Sequence, residues 1–141
     1  MSKLLIFAAI AFAIPAAAAS PDGSWLVESG DGVIEIAPCP AGLCGRLVGL
    51  GGAGQADTPP ATDWQGRPRC GLTILEAAPS GPGRWEGRIT NPEDGTEWRC
   101  AFWVDEAGRL NLRGYVLVPL FGQTQTWTRY TGRLGADCKM L

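Results

Sequence analysis

Short segments that alternate apolar and polar residues recur along the chain, each closed by a turn signal, and this limits the folds open to it. The turns are "GDG" (30–32), "CPAG", "APSGPG", "NPEDG", "DEAG" and "VPLFG". Between them, "RWEGRIT" sets Trp85 and Ile89 against Arg84, Glu86 and Arg88, and "EWRCAFWV" sets Trp98, Cys100, Phe102 and Val104 against Glu97 and Arg99. Period two with one apolar face describes a half-buried antiparallel strand. "GSWLVES", "GVIEIA", "LCGRLVGL", "GLTILEA", "RLNLRGYVLV" and "FGQTQTWTRY" bring the expected strands to about eight, and no helical stripe competes with them. Strands joined in up-and-down order by short turns lose both exposed edges by closing on themselves. The expectation is an all-β fold, a small antiparallel up-and-down β-barrel with little or no helix. An outer-membrane barrel would need an apolar outer band, whereas the outward positions here carry Arg84, Glu86, Arg88, Glu97, Arg99, Arg109 and Arg113.

The N-terminus is organised differently. Lys3, an apolar run from Leu4 to Ile14, and the small residues of "AAAAS" follow the order of a secretory signal peptide cleaved after Ala19. Residues 1–19 are therefore expected to be removed, leaving residues 20–141 as one domain, periplasmic or secreted. That domain keeps all 14 acidic residues and loses only Lys3 of the 12 basic ones, so it is acidic overall. Nucleic acid and anionic membrane are poor partners for it. The chain contains no histidine, which removes histidine-based triads and histidine metal sites. No metal, no cofactor and no catalytic residue is expected. The carboxylates Glu35, Glu76, Glu86 and Glu97 fall mostly on solvent faces, where they are solubilising charges rather than acid–base pairs.

Five cysteines in an exported chain imply disulfides and one thiol left over. Cys39 and Cys44 flank "PAGL" and face each other across a hairpin mouth. Sequence does not fix which two of Cys70, Cys100 and Cys138 pair; the reading preferred here joins Cys70 to Cys100 and leaves Cys138 free near the tail.

Two motif matches lose to their structural context. "GLGGAG", Gly49 to Gly54, has the spacing of a dinucleotide loop but precedes "QADTPPATD", which cannot open the helix such a loop requires. "NPEDG" gathers Asn91, Glu93 and Asp94 like a calcium cluster, yet Pro at the second position and Gly at the end make it a turn. The stretch from Leu50 to Arg69 is long and rich in Gly and Pro, and Trp64 with Asp63 and Arg67 within it suggests a lid over a ligand mouth.

The ends of the domain carry the most specific local signal. In a closed meander the last strand runs antiparallel beside the first, which places Arg129 of "WTR" beside Trp25 of "GSW" as the structural closure of the barrel. This resembles the signature of the calycin barrels, the lipocalins and their relatives. If Trp127 and Arg129 point inward, Gln123 and Gln125 do too, while Thr124, Thr126 and Thr128 face outward. Such an interior is either a hydrogen-bonded network or a small wet cavity lined by Gln123, Gln125, Trp127 and Trp64.

A closer resemblance covers about Pro21 to Tyr130. "GSW", "LCGRLVG", "RPRCGLTIL", "WEGRITNPEDGTEW" and "LRGYVLVPLFGQTQTWTRY" together resemble the bacterial exported family called domain of unknown function 2147. Within Leu50–Arg69 the chain departs from that family's form, where an Asn-Pro-containing stretch is expected. The resemblance implies a periplasmic or secreted β-barrel and no particular activity. Three function classes stay open on these readings: a binder of a small molecule in a part-polar barrel, a ligand-free envelope protein with an apolar patch at Leu117, Leu120 and Phe121, and, placed last, an enzyme, which would need carboxylates converging in a cleft.

Overall fold

A computed structural model of the protein describes residues 6, 8–12, 19–51, 61–115 and 122–141. The apolar patch at Leu117, Leu120 and Phe121 lies outside the described residues, as do much of the leader and residues 52–60 of the long loop. The strands are β1 (Gly23–Leu26), β2 (Gly32–Cys39), β3 (Gly42–Leu50), β4 (Thr73–Pro79), β5 (Trp85–Thr90), β6 (Glu97–Val104), β7 (Leu110–Tyr115) and β8 (Gln123–Arg129). They form a closed antiparallel barrel in chain order, in which β8 returns to pair with β1. The expected all-β, up-and-down, lipocalin-like architecture is the one observed. No helix among the described residues is long and apolar enough to cross a membrane.

The alternation read in the sequence sets what lies inside. Trp25, Ile36, Leu75, Phe102, Leu110 and Trp127 are almost wholly buried and belong to one apolar cluster. Register shifts alter that regularity at two places. One, where Arg46 pairs with Thr73 and Gly45 with Leu75, leaves Ile74 as an extra residue on β4, so that Ile74 and Leu75 are both buried. The other leaves Val48 extra on β3 between Gly49 and Leu47. Bulges of this kind bend a strand and re-aim its side chains, and strict period two does not anticipate them.

The two ends of the barrel are built differently. At one end lie the start of β1, the end of β8 and the tight β2–β3, β4–β5 and β6–β7 turns. At the other lie the β1–β2 turn, the β3–β4 connection, the "NPEDG" turn and the connection from β7 to β8. Cys39 pairs with Cys44 across the β2–β3 turn, Cα to Cα 5.7 Å. The second disulfide corrects the sequence reading: Cys70 joins Cys138, Cα to Cα 5.5 Å, and Cys100 is the free, buried thiol. Cys100 sits on the inward face of β6 opposite Gly87 and is packed in the core, so it has no path to Cys70. Cys138 reaches Cys70 because the tail after β8 turns back across the outside of the sheet. There Lys139 bridges Leu50, and the side chain of Leu134 lies against the backbone of Gly49. This strap explains why Val33, on the outer face of β2 beside Gly49, is fully buried.

Candidate functional site

At the closed end, the carbonyls of three successive residues are held by side chains. The Trp25 indole donates to Pro21 O at 2.8 Å, and the Arg129 guanidinium donates to Ser20 O at 2.6 Å and to Asp22 O. The same guanidinium lies 4.0 Å from the centre of the Trp25 ring. Trp25 and Arg129 are directly paired across β1 and β8, which is why sequence order alone brings them together. Gly23, at φ +121°, passes so close to Arg129 that a Cβ there would stand 2.7 Å from Nη1. This end is a floor in which the indole and the guanidinium hold the carbonyls of residues 20–22.

The opposite end opens into a cavity of about 740 Å³. Trp127 contributes to its lining, as do Leu112 and Gly114 of β7 and, from the far wall, Ile34, Leu47 and Ile74. Gln123 and Gln125 rise along β8 above Trp127 on the same face; they line the cavity and remain open to solvent. Thr124 and Thr126 occupy the other face, where they meet Arg113 and Asn111. The Trp127 indole donates to Gln125 Oε1 at 3.0 Å, while the Gln123 amide makes no hydrogen bond among the described residues. The charged groups that line the cavity, Asp31, Arg69 and Glu93, all come from connections at the open end; the strand residues that line it are uncharged.

Trp64 does not join Gln123, Gln125 and Trp127. It is 42% exposed and lies outside the cavity lining, stacked on the back of the "NPEDG" turn. Its backbone N–H donates to Pro92 O at 3.0 Å, and a Cβ on Gly95, at φ +77°, would stand 2.6 Å from the indole. The reason is local. The buried Asp63 carboxylate accepts from the backbone N–H groups of Gln65 and Arg67 and from Arg67 Nε, folding 63–67 into a tight turn that aims Trp64 sideways. Desolvation pushes the Asp63 pKa up, but the hydrogen bonds from Arg67 and Gln65 outweigh it and hold the group below its ordinary value. Trp64 thus braces the turn that supplies Asn91, Pro92 and Glu93 to the rim. Sequence reasoning missed those three and Arg69 as rim residues. The signal for them was the position of "NPEDG" after an odd-numbered strand, which in an up-and-down barrel assigns it to the same end as the β7–β8 connection.

The described residues contain no cluster of cysteines and carboxylates that could hold a metal ion. Burial pushes the Cys100 thiol up to about 12, which keeps it protonated and unreactive at neutral pH. The carboxylates at the rim, Asp31 and Glu93, come from separate turns. What the arrangement offers is an apolar chamber with a polar wall.

Comparison with known proteins agrees with the barrel fold. The model of a family described as an uncharacterized protein conserved in bacteria, domain of unknown function 2147, matches residues 23–129, from the first residue of β1 to the last of β8. Among solved structures, protein HP1028 from the human pathogen Helicobacter pylori, described as belonging to the lipocalin family, superimposes with a TM-score of 0.66. The match covers 79% of this chain and 84% of that one at 15% identity, a likeness of fold. A search of curated proteins returns no match.

Proposed function

Since the chain belongs to the bacterial family of uncharacterized proteins defined by domain of unknown function 2147, we propose that it is an exported barrel that binds a small molecule in the cavity above Trp127. The observation that carries this reading is the open chamber of about 740 Å³, within the size range of small-molecule sites. Gln123, Gln125 and Trp127 are its binding residues; Trp64 acts indirectly, by holding the rim turn. Binding rather than catalysis is the activity proposed.

Export after cleavage at Ala19 belongs to the same proposal. Two disulfides support an oxidising compartment, and the floor uses carbonyls beginning at Ser20, the first residue after that cleavage. Native mass spectrometry of the protein purified from its own periplasm tests both points. The expected result is a mass beginning at Ser20 with a retained small molecule. Protein that is consistently empty and binds nothing from a periplasmic extract would instead favour a ligand-free envelope protein.

A further inference from the structure

Resting on the reading of the cavity as a small-molecule site, we propose that it selects uncharged ligands carrying a carbonyl-type hydrogen-bond acceptor on an apolar body, and that Gln125 determines this specificity. An indole N–H can only donate. Its partner at 3.0 Å is therefore the oxygen of the Gln125 amide, and the Trp127–Gln125 bond fixes which way round that amide stands. With the oxygen held toward Trp127, the Gln125 NH₂ group is left with no protein partner among the described residues, in a side chain that lines the cavity. The protein thus presents an oriented donor, and a ligand acceptor is what completes it.

Charge decides which acceptor. A carboxylate beside Gln125 would share the cavity with Ile34, Leu47, Leu112 and Trp127, and none of the strand residues that line it is charged. A ligand that fills the chamber displaces the water that now reaches Gln125, and an anion that loses this water with only amide donors to receive it is disfavoured. The rim adds to this, since Asp31 and Glu93 outnumber Arg69. A ketone, ester or amide carbonyl meets the same donor with far less desolvation cost. Gln123, two residues along the same face, offers a second amide to any further polar group, and Ile74 and Ile89 complete the apolar wall for the ligand body.

Isothermal titration calorimetry with three probes of matched length, 2-nonanone, nonanoate and nonylamine, tests this. 2-Nonanone is expected to bind at least about tenfold tighter than either ion, the equivalent of one hydrogen bond of about 1.4 kcal/mol. Gln125→Glu keeps an acceptor for Trp127 but removes the donor, so the ketone should weaken about tenfold and nonylamine should gain. Gln125→Met removes both and should likewise weaken the ketone about tenfold; it serves if Gln125→Glu does not fold, as judged by its thermal melt. Nonanoate binding as tightly as 2-nonanone, or ketone affinity unchanged in the folded variants, would overturn the inference while leaving a binding cavity. Failure of all three probes to bind would overturn the cavity reading along with it.

Discussion

The two ends of this barrel use similar residues to opposite effect. At the floor, Trp25 and Arg129 direct donors onto the carbonyls of Ser20, Pro21 and Asp22, groups of the same chain. At the mouth, Trp127 spends its donor on Gln125, and the glutamine pair lines the cavity with amide groups that have no partner among the described residues. The disulfides follow the same division. The floor has a bridge between residues 5 apart, whereas the rim is tied by one spanning 68 residues through a strap laid across the outer wall. A closed end can be stabilised locally because its partners are already neighbours in register. An open end has given up contacts across the barrel axis and needs a long-range tie to hold its shape.

Breaking that tie should have the largest effect. Cys138→Ser releases the strap, uncovers Val33 and relaxes the segment that carries Arg69; chain entropy alone puts the loss near 4 kcal/mol for a loop of this length. Denaturant unfolding of the oxidised proteins measures it. A loss much below that of opening the floor disulfide would reverse the contrast between the two ends.

Arg129→Ala should cost about 1–3 kcal/mol, through the lost contact with the indole and the freed carbonyls of Ser20 and Asp22. Arg129→Lys should recover only part, because an ammonium cannot lie flat on the ring while reaching both carbonyls. A double-mutant cycle with Trp25→Phe should show coupling of at least about 0.5 kcal/mol; additive effects would mean that the floor is not a unit.

Opening the floor bridge by replacing Cys39 and Cys44 with serine should cost about 2 kcal/mol or less, the value for so short a loop. Comparison of its melting curve with that of Cys138→Ser ranks the two ends directly.

The smallest effect on stability is expected at the mouth. Gln123→Leu removes an amide that has no protein partner among the described residues, so unfolding should move by no more than about 0.5 kcal/mol. Binding should respond instead: ligands with a second polar group should weaken, seen by calorimetry beside an unchanged melting curve. A large loss of stability would show that Gln123 belongs to a structural network, and the distinction between a satisfied floor and an unsatisfied mouth would fail.

The amino-acid sequence by itself determined everything that depends on strand order and side-chain parity. Period two and turn spacing specify eight antiparallel strands. Chain order then makes β1 and β8 neighbours, which places Trp25 against Arg129 and turns Gln123 and Gln125 to the same side as Trp127. The Cys39–Cys44 pair follows from the same logic, being separated by one turn. The tertiary structure alone decided what lies outside any strand register. The path of the tail carries Cys138 to Cys70 and leaves Cys100 in the core, and the hydrogen bonds that fold 63–67 turn Trp64 away from the cavity it was expected to line. A bulge adds Ile74 to the cavity wall against the alternation. Alternation and order constrain a residue only relative to the strand that carries it. Where an irregular segment goes is settled by which surface it can bury and which backbone groups it can satisfy, and those exist only once the barrel has closed.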